Sequence, residues 1–155
     1  MNLPRLTTLL AVLGGLVLLA AAGIVAVSVV LRSLAIGQVA GDFEIVQVAT
    51  ALAAFAFLPL CQARRGNIIV DTFTNQLPLA LRCGLDALWD LVYAGAAAVM
   101  AWQLGRGAYD TISSSTVSMI LALPYGWAIA ACAVMAGLLA VVSVATAVAR
   151  FRTGA

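Results

Sequence analysis

From Leu6 to Leu31 the chain carries no charged residue, and further stretches of the same kind follow it. A run of about 20 apolar residues is enough for a helix to cross the ~30 Å hydrocarbon core of a bilayer. A soluble domain of 155 residues would need polar faces, yet only 9% of these residues are charged and 65% are hydrophobic. Soluble domains carry about 25% charge. The chain therefore reads as an all-α integral membrane protein whose solvent is lipid.

Asking where the charges stop places four transmembrane helices in a single domain, at about residues 8–31, 45–63, 87–105 and 122–149. Unpaired backbone amides are not tolerated in hydrocarbon, and no segment alternates as barrel strands do, so each span is expected to be helical. Pro124 suits the first turn of the last helix. The first stretch could also be read as a secretory signal, with Arg5 as its basic region and Ala20 to Ala22 near a cleavage point. Its length exceeds the usual 7–15 residues of such a segment, which favours a retained span.

Arginine placement predicts the orientation. Arg5, Arg64, Arg65, Arg82, Arg150 and Arg152 fall on one side of this arrangement, while Arg32 and Arg106 fall on the other. The positive-inside rule then puts both termini in the cytoplasm, N-in and C-in. Trp102, Tyr109, Tyr125 and Trp127 would mark the outer boundary, and Trp89 and Phe151 the inner one.

Between the second and third spans, Ile69, Phe73, Leu77, Leu81 and Leu85 recur every fourth residue, interrupted by Asp71, Thr74, Asn75 and Arg82. This spacing predicts a cytoplasmic interfacial amphipathic helix over about residues 67–85, with Arg64 and Arg65 near anionic headgroups. Pro78 should break it or start a second piece. An extended loop packed on other helices is the alternative.

The composition removes several chemistries. There is no histidine, and with it go the common haem and zinc ligand and the usual general base. Cys61, Cys83 and Cys132 form no Cys-x-x-Cys pair and read as packing residues. No phosphate-binding glycine loop or basic run points to nucleotide or nucleic acid. No enzyme activity, cofactor, metal site or substrate-binding residue is expected in this chain.

Ionisable residues close to the spans are the remaining candidates, because a charge in lipid is costly without a partner. Asp42 and Glu44 stand at one mouth of the second helix. Asp86 and Asp90 stand at one mouth of the third, and with Arg82 they share a stripe at i, i+4 spacing. None lies at mid-span, where coupled carriers usually place carboxylates or broken helices. Ala49/Ala53, Ala94/Ala98 and Ala133/Gly137 are small-xxx-small pairs that let helices approach closely.

Arg32 with the run Gly41-Asp42-Phe43-Glu44-Ile45-Val46, then Arg64-Arg65-Gly66-Asn67-Ile68-Ile69-Val70-Asp71 and Arg82, form a recognisable order. Over about residues 30–150 the chain resembles the small membrane (DctQ-type) subunit of tripartite ATP-independent periplasmic (TRAP) transporters. Asn67 departs from the histidine common at that position, and the Ser113 to Leu121 loop matches loosely. The small subunit of tripartite tricarboxylate transporters is the nearest confusable relative, and a stand-alone four-helix exporter is a further alternative. The latter would need a carboxylate inside a span, usually the first, and this first span has none.

The resemblance implies a bacterial inner-membrane system that imports an organic acid with sodium. In such systems a large multi-span M subunit holds the substrate and ion sites, and a periplasmic binding protein delivers the solute. The small subunit is implied to be a static scaffold beside M. Asp42, Glu44, Arg64, Arg65, Asn67, Asp71, Arg82, Asp86 and Asp90 become candidates for subunit or lipid contacts, with Glu44 and Asp90 the foremost for buried polar pairing. The loops at Ala35–Asp42 and Gly107–Ser118 become candidates for docking the binding protein.

Overall fold

A computed structural model describes residues 3–35, 37, 39–64 and 79–153. Four helices account for most of them: α1 (Leu3–Ser33), α2 (Asp42–Ala63), α3 (Leu79–Ser113) and α4 (Tyr125–Thr153). All four are long and apolar enough to cross a membrane.

Local chemistry explains several of the ends. Pro4 sits in the opening turn of α1, where its missing amide costs nothing, and its carbonyl accepts bonds from the Thr7 and Thr8 hydroxyls at 3.2 and 2.8 Å. Gly41 precedes α2 in a left-handed conformation, φ 73°. Asp42 and Glu44 then place negative charge in the first turn, where the helix dipole favours it. The Arg64 amide closes α2 by donating to the Leu60 carbonyl at 2.9 Å. With 22 residues, α2 is about 33 Å long, close to the ~30 Å of hydrocarbon it has to cross.

Helix α3 has 35 residues and extends about 52 Å, beyond both ends of the 87–105 stretch marked by charge. It begins directly after Pro78, so residues 79–85 of the segment expected at the interface belong to this helix. Residues 67–78 of that segment lie outside the described residues.

The helices form an open row and not a closed bundle. Helix α1 packs on α2, α2 on α4, and α4 on α3, with the α3–α4 contact the most extensive. That last seam follows a three-four repeat on α3: Ala87, Asp90, Ala94, Ala97, Ala101, Leu104 and Ala108 all turn inward to some degree. Cys132, Ala136, Leu139, Ser143 and Ala147 are buried on α4. Small side chains at these positions allow close backbone approach, the main source of helix association in lipid. Gly126 is one point of close approach, since an added Cβ there would run into the Ile112 side chain and lie 3.2 Å from its amide nitrogen.

A row one helix deep hides little of itself. At most 28% of the most apolar window of any helix is buried within the chain. Lipid or another protein must cover the rest.

Candidate interaction surface and its polar nodes

The buried polar side chains of α2, Glu44 and Gln62, stand at its two ends. At one end, the Glu44 carboxylate is buried at 7% exposure beneath the α3–α4 loop. Its Oε2 accepts from the Ser118 hydroxyl at 2.6 Å and the Leu121 amide at 3.0 Å, and its Oε1 accepts from the Ile120 amide at 2.9 Å. The carboxylate thus fills a concavity of backbone amides, an arrangement that suits an anion. Ser118 also clips the loop to itself. Its hydroxyl accepts from the Leu123 amide at 3.0 Å, and its own amide donates to the Leu123 carbonyl at 3.0 Å. A bridge between Val117 and Pro124 closes the loop.

Asp42 ties the same end to α1. Its Oδ2 accepts from the Ser28 hydroxyl at 2.6 Å, and its Oδ1 accepts from the Phe43 amide at 2.8 Å. Ser28 is almost completely buried and its oxygen also accepts from the Val39 amide at 3.4 Å. Gly41 lies against Leu121, whose side chain occupies the space a Cβ would need. The end of α1, the start of α2 and the α3–α4 loop are therefore bound into one polar node.

At the other end, Gln62 is buried at 3% exposure. Its Nε2 donates to Asp90 Oδ1 on α3 at 2.9 Å and to Thr146 Oγ1 on α4 at 3.2 Å. The Thr146 hydroxyl donates to the Ser143 carbonyl at 2.8 Å, and the Ser143 hydroxyl donates to the Leu139 carbonyl at 2.9 Å. Three helices meet through this one amide. The two nodes stand about 27 Å apart along α2, nearly the thickness of a bilayer's hydrocarbon.

The remaining candidates are dispersed. Arg64 is exposed at the end of α2, and Asp86 is half-buried one turn before Asp90. Arg82 falls in α3, while Arg65, Asn67 and Asp71 lie outside the described residues. Sequence reasoning missed Ser28, Gln62, Ser118 and Thr146. Their only signal is a polar, uncharged side chain within or beside an apolar helix.

Substituting Gln62→Leu is expected to cost about 1–2 kcal/mol, the upper range for interhelical hydrogen bonds in membrane proteins. Thermal unfolding of the purified chain in detergent measures it. Thr146→Val, which removes one of the two acceptors of Gln62 together with a local bond to the Ser143 carbonyl, should cost less.

No grouping of three or more metal-ligating side chains occurs among the described residues. The groove between α3 and α4 is walled by Leu91, Ala94, Gly95, Ala98, Ala140 and Val144, and the cleft beside α1 by Ala20, Gly23, Ile24 and Val27. Such walls offer neither nucleophile nor charge. They suit a lipid tail or another helix.

These features define a polytopic helical membrane protein whose buried polar groups, among the described residues, tie its own helices and loops together. The family described as tripartite ATP-independent periplasmic transporters, DctQ component, matches residues 21–153. The chain belongs to this family, so it is a small permease subunit of a TRAP transporter. No curated protein and no solved structure matches it significantly.

Proposed function

We propose that this chain is the static scaffold of a sodium-coupled TRAP importer of an organic acid. It would brace the large multi-span M subunit in a bacterial inner membrane. The observation that carries this reading is the open row of helices, which leaves long apolar faces uncovered. Glu44 and Gln62, meanwhile, direct their hydrogen bonds to other helices and loops of the same chain. The grooves found among the described residues have apolar walls, and a subunit arranged in this way adds membrane-embedded breadth.

The arginine asymmetry supports placing the Gln62 node on the cytoplasmic side and the Glu44 node on the periplasmic side. In that orientation Arg64, Arg65, Asn67, Asp71 and Arg82 hold the segment before α3 against headgroups or M. The segment before α2 and the Ser114–Thr116 part of the α3–α4 loop face the periplasm, where they help dock the binding protein; Gly107–Ser113, expected as loop, is the last part of helix α3. Substrate and sodium are held by M, and none of the residues named here touches them.

Affinity purification from gently solubilised membranes tests the assignment. Recovery of a much larger multi-span protein, with loss of solute uptake when this chain is deleted, is the expected result. A chain that purifies alone and transports solute in liposomes would overturn it. Glu44→Ala and Asp90→Ala are expected to weaken assembly and uptake, and unchanged values for both would remove these residues from the account.

A further inference from the structure

The α3–α4 loop has two halves of opposite character. Ser113 to Thr116 is polar and bonded to its own helix end: the Ser114 hydroxyl donates to the Asp110 carbonyl at 2.8 Å and lies 2.8 Å from the Thr116 hydroxyl. Val117 to Leu123 is apolar apart from Ser118. In that half Met119 is fully exposed and Ile120 largely so. The loop is nonetheless held in place, because Glu44 takes the amides of Ile120 and Leu121 and the hydroxyl of Ser118.

Its level relative to a bilayer follows from its anchors. Glu44 lies in the first turn of α2, a helix matched in length to the hydrocarbon, so the carboxylate stands at the hydrocarbon boundary. Gly126 packs against Ile112 and Ala108, which brings the start of α4 level with the last turns of α3. Phe43, Tyr109 and Trp127 are all exposed at this same end. Aromatic side chains are enriched at that depth in membrane proteins. The Ile120 and Leu121 amides already have partners, so bringing them into a less polar medium leaves neither unsatisfied.

We propose that Val117 to Leu121 is an interfacial lipid anchor, with Met119 and Ile120 seated at the boundary between headgroups and acyl chains and Glu44 as its positioning residue. Lipid is favoured over a soluble protein partner by two observations. The apolar tip lies at the same end of the helices as the exposed Phe43, Tyr109 and Trp127. No charged residue occurs between Thr111 and Ala149 to give a soluble protein electrostatic complementarity. Apolar side chains at a membrane surface gain free energy in proportion to the area they bury. The anchor requires only that the helices cross a bilayer, and it holds for either orientation and whichever solute the complex carries.

The test places a nitroxide at Met119→Cys, and separately at Ser114→Cys, after Cys61, Cys83 and Cys132 are replaced by alanine. The complex as purified is reconstituted in nanodiscs of phosphatidylcholine and phosphatidylglycerol. Power saturation then compares access of oxygen, which concentrates in lipid, with that of a water-soluble nickel chelate. The label at 119 is expected to favour oxygen several-fold over the chelate, and the label at 114 to show the reverse. Access by the chelate equal to that at 114 would overturn the anchor, as would exclusion of both reagents, the signature of a covering protein. Glu44→Gln puts an amide donor among donors and is expected to raise chelate access at 119 while helix content is unchanged. Ser118→Ala should do so to a smaller extent and serves if Glu44→Gln fails to fold. Unchanged access in the folded variants would end Glu44's positioning role.

Discussion

Gly41→Val is expected to destabilise the folded chain by about 2–5 kcal/mol, combining about 1–2 for a left-handed backbone with about 1–3 for overpacking. Gly41 has φ 73°, and its missing Cβ leaves the space that Leu121 fills. A branched side chain there would push Leu121 outward and stretch the bond between its amide and Glu44. Gly37→Val supplies the control: its φ is 140° but nothing lies within 4 Å of an added Cβ. It should lose only the backbone part. Thermal unfolding in detergent, followed by circular dichroism, separates the two. Equal losses would show that the loop does not press on Gly41.

Gly14→Val is expected to cost about 1–3 kcal/mol by overpacking and to loosen α1 from α2. An added Cβ at Gly14 would lie 2.8 Å from the Ala56 Cβ and 3.3 Å from the Ala53 Cα. Backbone cannot yield as a flexible side chain does, so the two helices must separate. Because α1 packs principally on α2, it has little else to hold it. Gly15→Val, with nothing within 4 Å, should leave stability nearly unchanged, since valine suits a helix somewhat better than glycine. Unfolding in detergent measures the stability difference. Disulfide cross-linking of Ser28→Cys to Asp42→Cys reports the loosening.

Four helices were legible in the sequence because charge is so costly in hydrocarbon that its absence marks each span. Helix ends were less legible. Asp90, Asp86, Arg106 and Asp110 bound the apolar stretch of α3, but charged residues continue a helix into water without difficulty. The boundary of the membrane and the end of the helix are therefore different places in α3.

The neighbour order was not legible at all. Periodicity identifies a face on each helix, yet alanine is so common here that several faces look alike. Glu44 and Asp90 stood out as ionisable groups beside spans. Their partners did not, because Ser118 reads as one more hydroxyl in a solvated loop and Gln62 as an isolated amide near a helix end. Those contacts exist only once the alanine seams have set the register between helices, which is a property of packing and not of any local motif.

The proposal that this subunit is a static scaffold beside M is tested most directly by locking it. With the native cysteines replaced by alanine, Ser28→Cys and Asp42→Cys would join α1 to α2, and Gln62→Cys and Thr146→Cys would join α2 to α4, each pair bridged by a short reducible linker. Solute uptake by the reconstituted complex is then measured before and after reduction. A static scaffold predicts the same rate with the bridges closed or open. A rate that falls on closing the bridges and returns on reduction would contradict it.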